Sequence, residues 1–122
     1  MKVAFCTNGL SEVDEHFGRA TSVAVYDVGL EGAEFTELRS FVPIDSSEDH
    51  KIDINTKVGS LNDCAILYFT EIGGPAAAVV VRNKIHPIKV DEGTSIKDLL
   101  DALVARLNDS PPIWLKRAVG VK

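Results

Sequence analysis

The chain has 122 residues, is 45% hydrophobic and carries 13 Lys and Arg against 18 Asp and Glu, for a net charge of −5. That make-up fits a single globular domain, which can bury roughly two-thirds of its unfolded surface without disulfide or metal staples. It excludes a disordered or fibrous segment, and its scattered basic residues form no stripe suited to nucleic acid or an anionic membrane.

The first element is a buried strand over Lys2–Cys6, closed by the turn signal Asn8-Gly9. This apolar run is too short for the core of a signal peptide. The longest apolar stretch, Pro75 to Val81, falls far below the roughly 18 residues of a membrane span, so a cytoplasmic protein is expected. Next comes the polar loop Val13-Asp14-Glu15-His16-Phe17-Gly18-Arg19. Phe17 can bury its ring and pin the loop, Gly18 leaves the backbone room to turn, and His16 is then displayed. The same stretch also reads as a solvated turn with an idle histidine. Ser22 to Val28 and Ala33 to Val42 read as strands joined through Gly29 to Gly32, a link so short that they must be antiparallel.

Pro43 to Lys51 is polar and acidic, an exposed linker or helix entry in which His50 is solvated. Ile54, Val58 and Leu61 then fall at helical spacing, which predicts a helix over 49–61. Cys64–Phe69 is a compact apolar run, as expected of a strand covered on both faces. A helix starts at Pro75 with Gly74 as its cap and stops near Asn83, which can take up the left-handed conformation. Ile85 to Val90 is a strand that Pro87 restricts to an edge, a start or a bulge, and His86 before the proline is expected to be structural. Strand, helix and strand form a right-handed βαβ unit.

After the turn Asp91-Glu92-Gly93 comes the clearest element, a helix whose stripe is Ile96, Leu99, Leu100, Leu103, Val104 and Leu107. Ser95 is its cap, with Asp98 three positions on, and residues 108–112 stop it. The remaining Ile113 to Val119 is an apolar and basic tail, packed by Trp114 on the domain or docked on a partner. The organisation expected is one domain over residues 1–109 with a tail over 110–122. Cys6 and Cys64 lack any Cys-x-x-Cys spacing and read as core thiols, since a self-contained metal site needs more thiolates.

If the first strand and the Cys64–Phe69 strand are parallel neighbours, the His16 loop and Glu71-Ile72-Gly73-Gly74-Pro75 emerge together. That is where ligands of open α/β sheets sit. The second loop offers amides at a helix N-terminus, suited to an anion, although alone it is only a helix start. The candidate binding residues are therefore His16, Arg19, Glu71, Gly73 and Gly74. His16 is the metal ligand, with Asp14 or Glu15 within reach of its second nitrogen. Cys6 is a secondary candidate, and no catalytic residue is expected. One strong ligand instead of three or four implies a releasable hold, which is a carrier's property and not an enzyme's.

Asp14 to Arg19, Thr70 to Ala77 and Ile85 to Val90, with the tail Pro111-Pro112-Ile113-Trp114-Leu115, together resemble the dinitrogenase iron–molybdenum cofactor biosynthesis family. The likeness is to its NifX branch above all, beside NafY, VnfX and the C-terminal part of NifB. The resemblance spans essentially the whole chain. It implies a ribonuclease-H-like three-layer α/β fold, with a mixed five-stranded sheet containing one antiparallel strand and about three helices. It also implies a small carrier that binds the iron–sulfur precursor made by NifB, or the finished iron–molybdenum cofactor. Such a carrier exchanges its cargo with the NifEN scaffold, and the histidine of the His-Phe-Gly motif, here His16, is the candidate cluster ligand. Two other readings stay open: a docking or regulatory module centred on Trp114, and a divalent-metal nuclease in which Asp14, Glu15 and Glu71 converge.

Overall fold

The computed structural model describes residues 1–41 and 54–120. Val42, the linker with His50 and residues 49–53 of the predicted first helix lie outside the described residues. The strands are β1 (Lys2–Cys6), β2 (Glu12–Val13), β3 (Ser22–Gly29), β4 (Gly32–Ser40), β5 (Cys64–Phe69), β6 (His86–Lys89) and β7 (Thr94–Ser95). The helices are α1 (Ile54–Gly59), α2 (Gly74–Arg82), α3 (Ile96–Leu107) and α4 (Ile113–Val119).

Five strands form one mixed sheet in the order β4-β3-β1-β5-β6. β1 pairs in parallel with β5 and β5 with β6, while β3 runs antiparallel to both β1 and β4. β3 is thus the single reversed strand, as expected. The alternation of side chains along β1 and β5 divides the core. Ala4, Cys6, Leu67 and Phe69 face α1 and α2, and Val3, Phe5, Ile66 and Tyr68 face α3 and α4. The result is three layers, helices against both faces of a sheet.

Local chemistry accounts for most boundaries. In α3 the buried Ile96, Leu100, Leu103 and Leu107 carry the predicted stripe, and the Asp98 amide donates to Ser95 Oγ at 3.3 Å. α2 begins one residue earlier than expected, with Gly73 at the cap position. Asn83 ends it through Nδ2 donating to the Val79 carbonyl, but the left-handed residue is Lys84, at φ 63°. β6 occupies the sheet edge that Pro87 requires.

Two features were not expected. The residues of the tail form α4, which seats Leu115, 2% exposed, in the α3 face of the core. β2 and β7 pair as a separate two-stranded clasp, tightened by the Gly93 amide donating to the Val13 carbonyl at 2.9 Å. Gly93 turns there at φ 91°, where a Cβ would lie 3.1 Å from a Glu12 carboxylate oxygen.

Candidate functional site

Because β1 and β5 are parallel neighbours, the loops leaving their carboxyl ends meet. The Phe17 amide donates to the Glu71 carbonyl at 2.9 Å, and the Thr70 amide donates to the Glu15 carbonyl at 3.2 Å. Phe17 drives the arrangement. Its ring is 1% exposed and meets Phe41 edge to face at 6.3 Å, so the loop is nailed to the α1–α2 side of the core. The following turn closes with the Arg19 and Ala20 amides on the His16 carbonyl.

His16, half-buried, lies at the rim of a cavity of about 190 Å³ that it shares with Gly18, Ile54, Lys57, Gly73 and Ala76. Its Nδ1 accepts the Gly18 amide at 2.9 Å. Gly18 leaves room for the ring, since a Cβ there would stand 3.1 Å from His16 Cε1 and 3.2 Å from Nδ1 and press on it. A neutral imidazole that accepts at Nδ1 carries its proton on Nε2. Asp14 and Glu15 do not partner the ring. Asp14 Oδ1 accepts the Asn8 amide, while Glu15 accepts the His16 amide and the Asn8 side chain, so both carboxylates brace the loop instead.

The structure brings His16 and Gly73 to one cavity, and Gly74 begins α2 beside it. The side chains of Arg19 and Glu71 lie outside its lining. Arg19 is exposed, and Glu71 turns its carboxylate to Lys89 Nζ at 2.9 Å. The hydrogen bond and charge of Lys89 hold Glu71 below the usual carboxylate range, with a smaller contribution from His16. Asp14, Glu15 and Glu71 therefore do not converge. Among the described residues no group of three or more His, Cys, Asp or Glu is arranged to hold a metal ion.

Lys57 is the residue that sequence reasoning missed. It is only 4% exposed, donates from Nζ to the Phe17 carbonyl at 2.6 Å, and sits 4.8 Å and 4.9 Å from the ring centres of Phe17 and Phe41. Burial pulls its ammonium below the ordinary lysine range, opposed by Cys6 and Glu15. A lysine beside Val58 on a short helix carries no sequence mark distinguishing it from a solvated one. Cys6, the secondary candidate, is fully buried in the core, and burial raises its thiol to about 12. It is a packed thiol and not an available thiolate.

The chain matches the family described as "Dinitrogenase iron-molybdenum cofactor" over residues 1–106. It belongs to the dinitrogenase iron–molybdenum cofactor family. Among curated relatives it is similar to Protein NifX of Herbaspirillum seropedicae, 42% identical over 98% of this chain and 82% of that protein. It is also similar to Protein NifX of Sinorhizobium fredii, at 40% identity over 98% of this chain and 78% of that one. Among solved structures, the crystal structure of PH0822 superposes with a TM-score of 0.61 at 22% identity, covering 86% of this chain and 89% of that one, a likeness of fold. The segment matched to the iron–molybdenum cofactor family takes in the His16 loop, Lys57 and the start of α2, and stops before α4.

The two buried thiols of this family member also contribute to its stability at alkaline pH. Burial raises both Cys6 and Cys64 to about 12, whereas an unfolded thiol titrates near 8.5. The fold therefore keeps protons that the unfolded chain releases. That stabilisation is complete below the unfolded value and is lost as pH climbs from about 9 toward 12. Lys57 acts in the opposite sense just below its ordinary value, whereas Tyr68, also raised by burial, adds to the thiols. The urea midpoint is expected to fall between pH 8 and pH 10.5, and Cys64→Ala to flatten that fall; an unchanged midpoint contradicts the assignment.

Proposed function

We propose that this protein is a non-enzymatic carrier in nitrogenase cofactor maturation. Its cargo is an iron–sulfur cofactor precursor of the kind NifB makes, or the iron–molybdenum cofactor, held transiently through His16. The single observation that carries this reading is the meeting of one displayed imidazole, a buried ammonium and the start of α2 at one cavity, in a chain of this family. An inorganic cluster brings its own bridging ligands and negative charge, so it needs from the protein one donor atom and a positive field. The Gly74–Ala76 end of α2 has no side-chain cap, and a helix start contributes about 0.3–1 kcal/mol toward an anion. Lys57 adds a full charge where water is excluded.

The hydrogen bond to Nδ1 makes the hold releasable. A metal approaching Nδ1 must displace the Gly18 amide, and one approaching Nε2 must replace the proton there and turn the ring away from that amide. Either route gives up a hydrogen bond worth about 1 kcal/mol. The three-layer mixed sheet is consistent with a ribonuclease-H-like fold. NifB as donor, NifEN as exchange partner and a cytoplasmic location complete the reading; among the described residues no helix is long and apolar enough to cross a membrane.

Anaerobic titration with the purified iron–sulfur precursor tests it. The cluster is expected to co-elute with the protein in one equivalent, and a paramagnetic state of it to show coupling to one nitrogen. Failure to co-elute ends the carrier reading, while co-elution without nitrogen coupling removes only His16.

A further inference from the structure

A groove beside α4 lies away from the cargo cavity. About 610 Å³ in volume, it opens at the amino ends of β5 and β6, between the C-terminal end of α2 and α4, whereas the His16 cavity sits beyond the carboxyl ends of β1 and β5. Its floor is apolar, and one wall is the stack of His86 on Trp114, with ring centres 4.2 Å apart and planes 19° from parallel. Val81 on one side is 59% exposed and Ile113 just outside is 68% exposed. A groove of this size takes an apolar side chain and part of the segment bearing it.

Its charge is the opposite of the molecule's. The chain as a whole is at −5, yet the groove is lined by Lys84 and Arg117 and by no carboxylate. Among the described residues Lys2, Arg39, Lys89 and Lys97 each hold an Asp or Glu, while Arg19, Arg82, Arg106 and Lys116 do not. Among the described residues, Lys84 and Arg117 hold none. Lys84 also stands at φ 63°, a left-handed position after a helix that ordinarily falls to glycine or asparagine. A lysine there strains the backbone, and while its amide donates to the Val81 carbonyl at 2.9 Å, its ammonium holds no carboxylate among the described residues.

We infer that this groove is a docking site for an acidic protein segment, one apolar side chain entering beside the His86–Trp114 stack while flanking Asp or Glu residues pair with Lys84 and Arg117. It is a second site, independent of the cargo cavity. The partner's charge follows from the groove's unpaired cations, and its apolar anchor from the open floor between Val81 and Trp114.

The test is a titration of the isotopically labelled full chain, followed by amide NMR, with three synthetic peptides that share one central leucine. One is flanked by glutamates, one by lysines and one by serines. The glutamate peptide is expected to move the amides of Val81, His86 and Arg117, to lose affinity as salt is raised, and to leave His16 and Gly73 unmoved. Lys84→Gly and Arg117→Ala are each expected to weaken it roughly two- to fivefold, the range of an exposed ion pair. Lys84→Gly also relieves the left-handed strain, so its urea midpoint should be equal to or above that of the parent, which separates a binding loss from a folding one. Equal shifts from the lysine peptide, shifts confined to other surfaces, or unchanged affinity in both variants would overturn the inference. So would phosphatidylglycerol vesicles moving the same amides when the glutamate peptide does not, or sedimentation showing the groove filled by a second copy.

Discussion

Replacing His16 with alanine is expected to cost at least tenfold in cluster retention while leaving the fold intact. The magnitude follows from ligand loss, because even residues that only orient a ligand commonly contribute about 10–100-fold in metal affinity. The sparing of the fold follows from position. His16 is half-buried and its ring makes one hydrogen bond, from the Gly18 amide, which is exposed and passes to water when the ring is removed. A surface change of that kind stays within about 0.5 kcal/mol. Equilibrium gel filtration with the purified precursor, beside a urea titration of the empty protein, reads both quantities. Retention equal to the parent's would remove His16 from the site. Lys57→Met is the companion variant: it keeps the imidazole and removes the charge, so weaker retention there with intact nitrogen coupling would assign the field to Lys57. Its folding cost is about 1–3 kcal/mol, since the buried Phe17 carbonyl loses its lysine donor.

Phe17→Ala carries the largest expected loss of stability, about 3–5 kcal/mol, the range for emptying a buried phenylalanine site. The ring is sealed from solvent, meets Phe41 edge to face and has the Lys57 ammonium over it. Removing it therefore opens a void and strips one wall from a buried charge. Phe17→Leu fills most of the volume and should recover much of the loss. The urea midpoint with unchanged slope is the readout. A fall below about 1 kcal/mol would show that the loop is not anchored by this side chain, in which case the placement of His16 would need another cause.

These expectations rest partly on what could be read before any coordinates and partly on what could not. β1, β5 and α3 were legible to the residue because their signals are local: dense apolar runs for the strands, a strict stripe with Ser95 as cap for the helix. The parallel pairing of β1 with β5 was stated as a condition, and it is what lets two separately weak loops share a cavity. The β2–β7 clasp was out of reach because two-residue strands have no period, and their pairing joins segments some eighty residues apart. α4 hid behind two prolines and seats only Leu115 firmly. Arg19 and Glu71 were chosen for charge and proximity in sequence, and their side chains lie outside the cavity lining. Lys57 was invisible for the converse reason: a buried cation among aromatic rings is a product of tertiary packing.

The turn bearing His16 is fastened on every side: by the clasp before it, by Asn8 to Asp14 and Glu15, and by paired amides to the strand exit at Thr70 and Glu71. Such a turn is held like the fixed jaw of a vice. If His16 holds the cargo as proposed, handover falls to the receiver, whose own donor atoms would reach the cluster's open face while the histidine grips the other. On that reading the cargo would pass through a doubly held state without ever floating free.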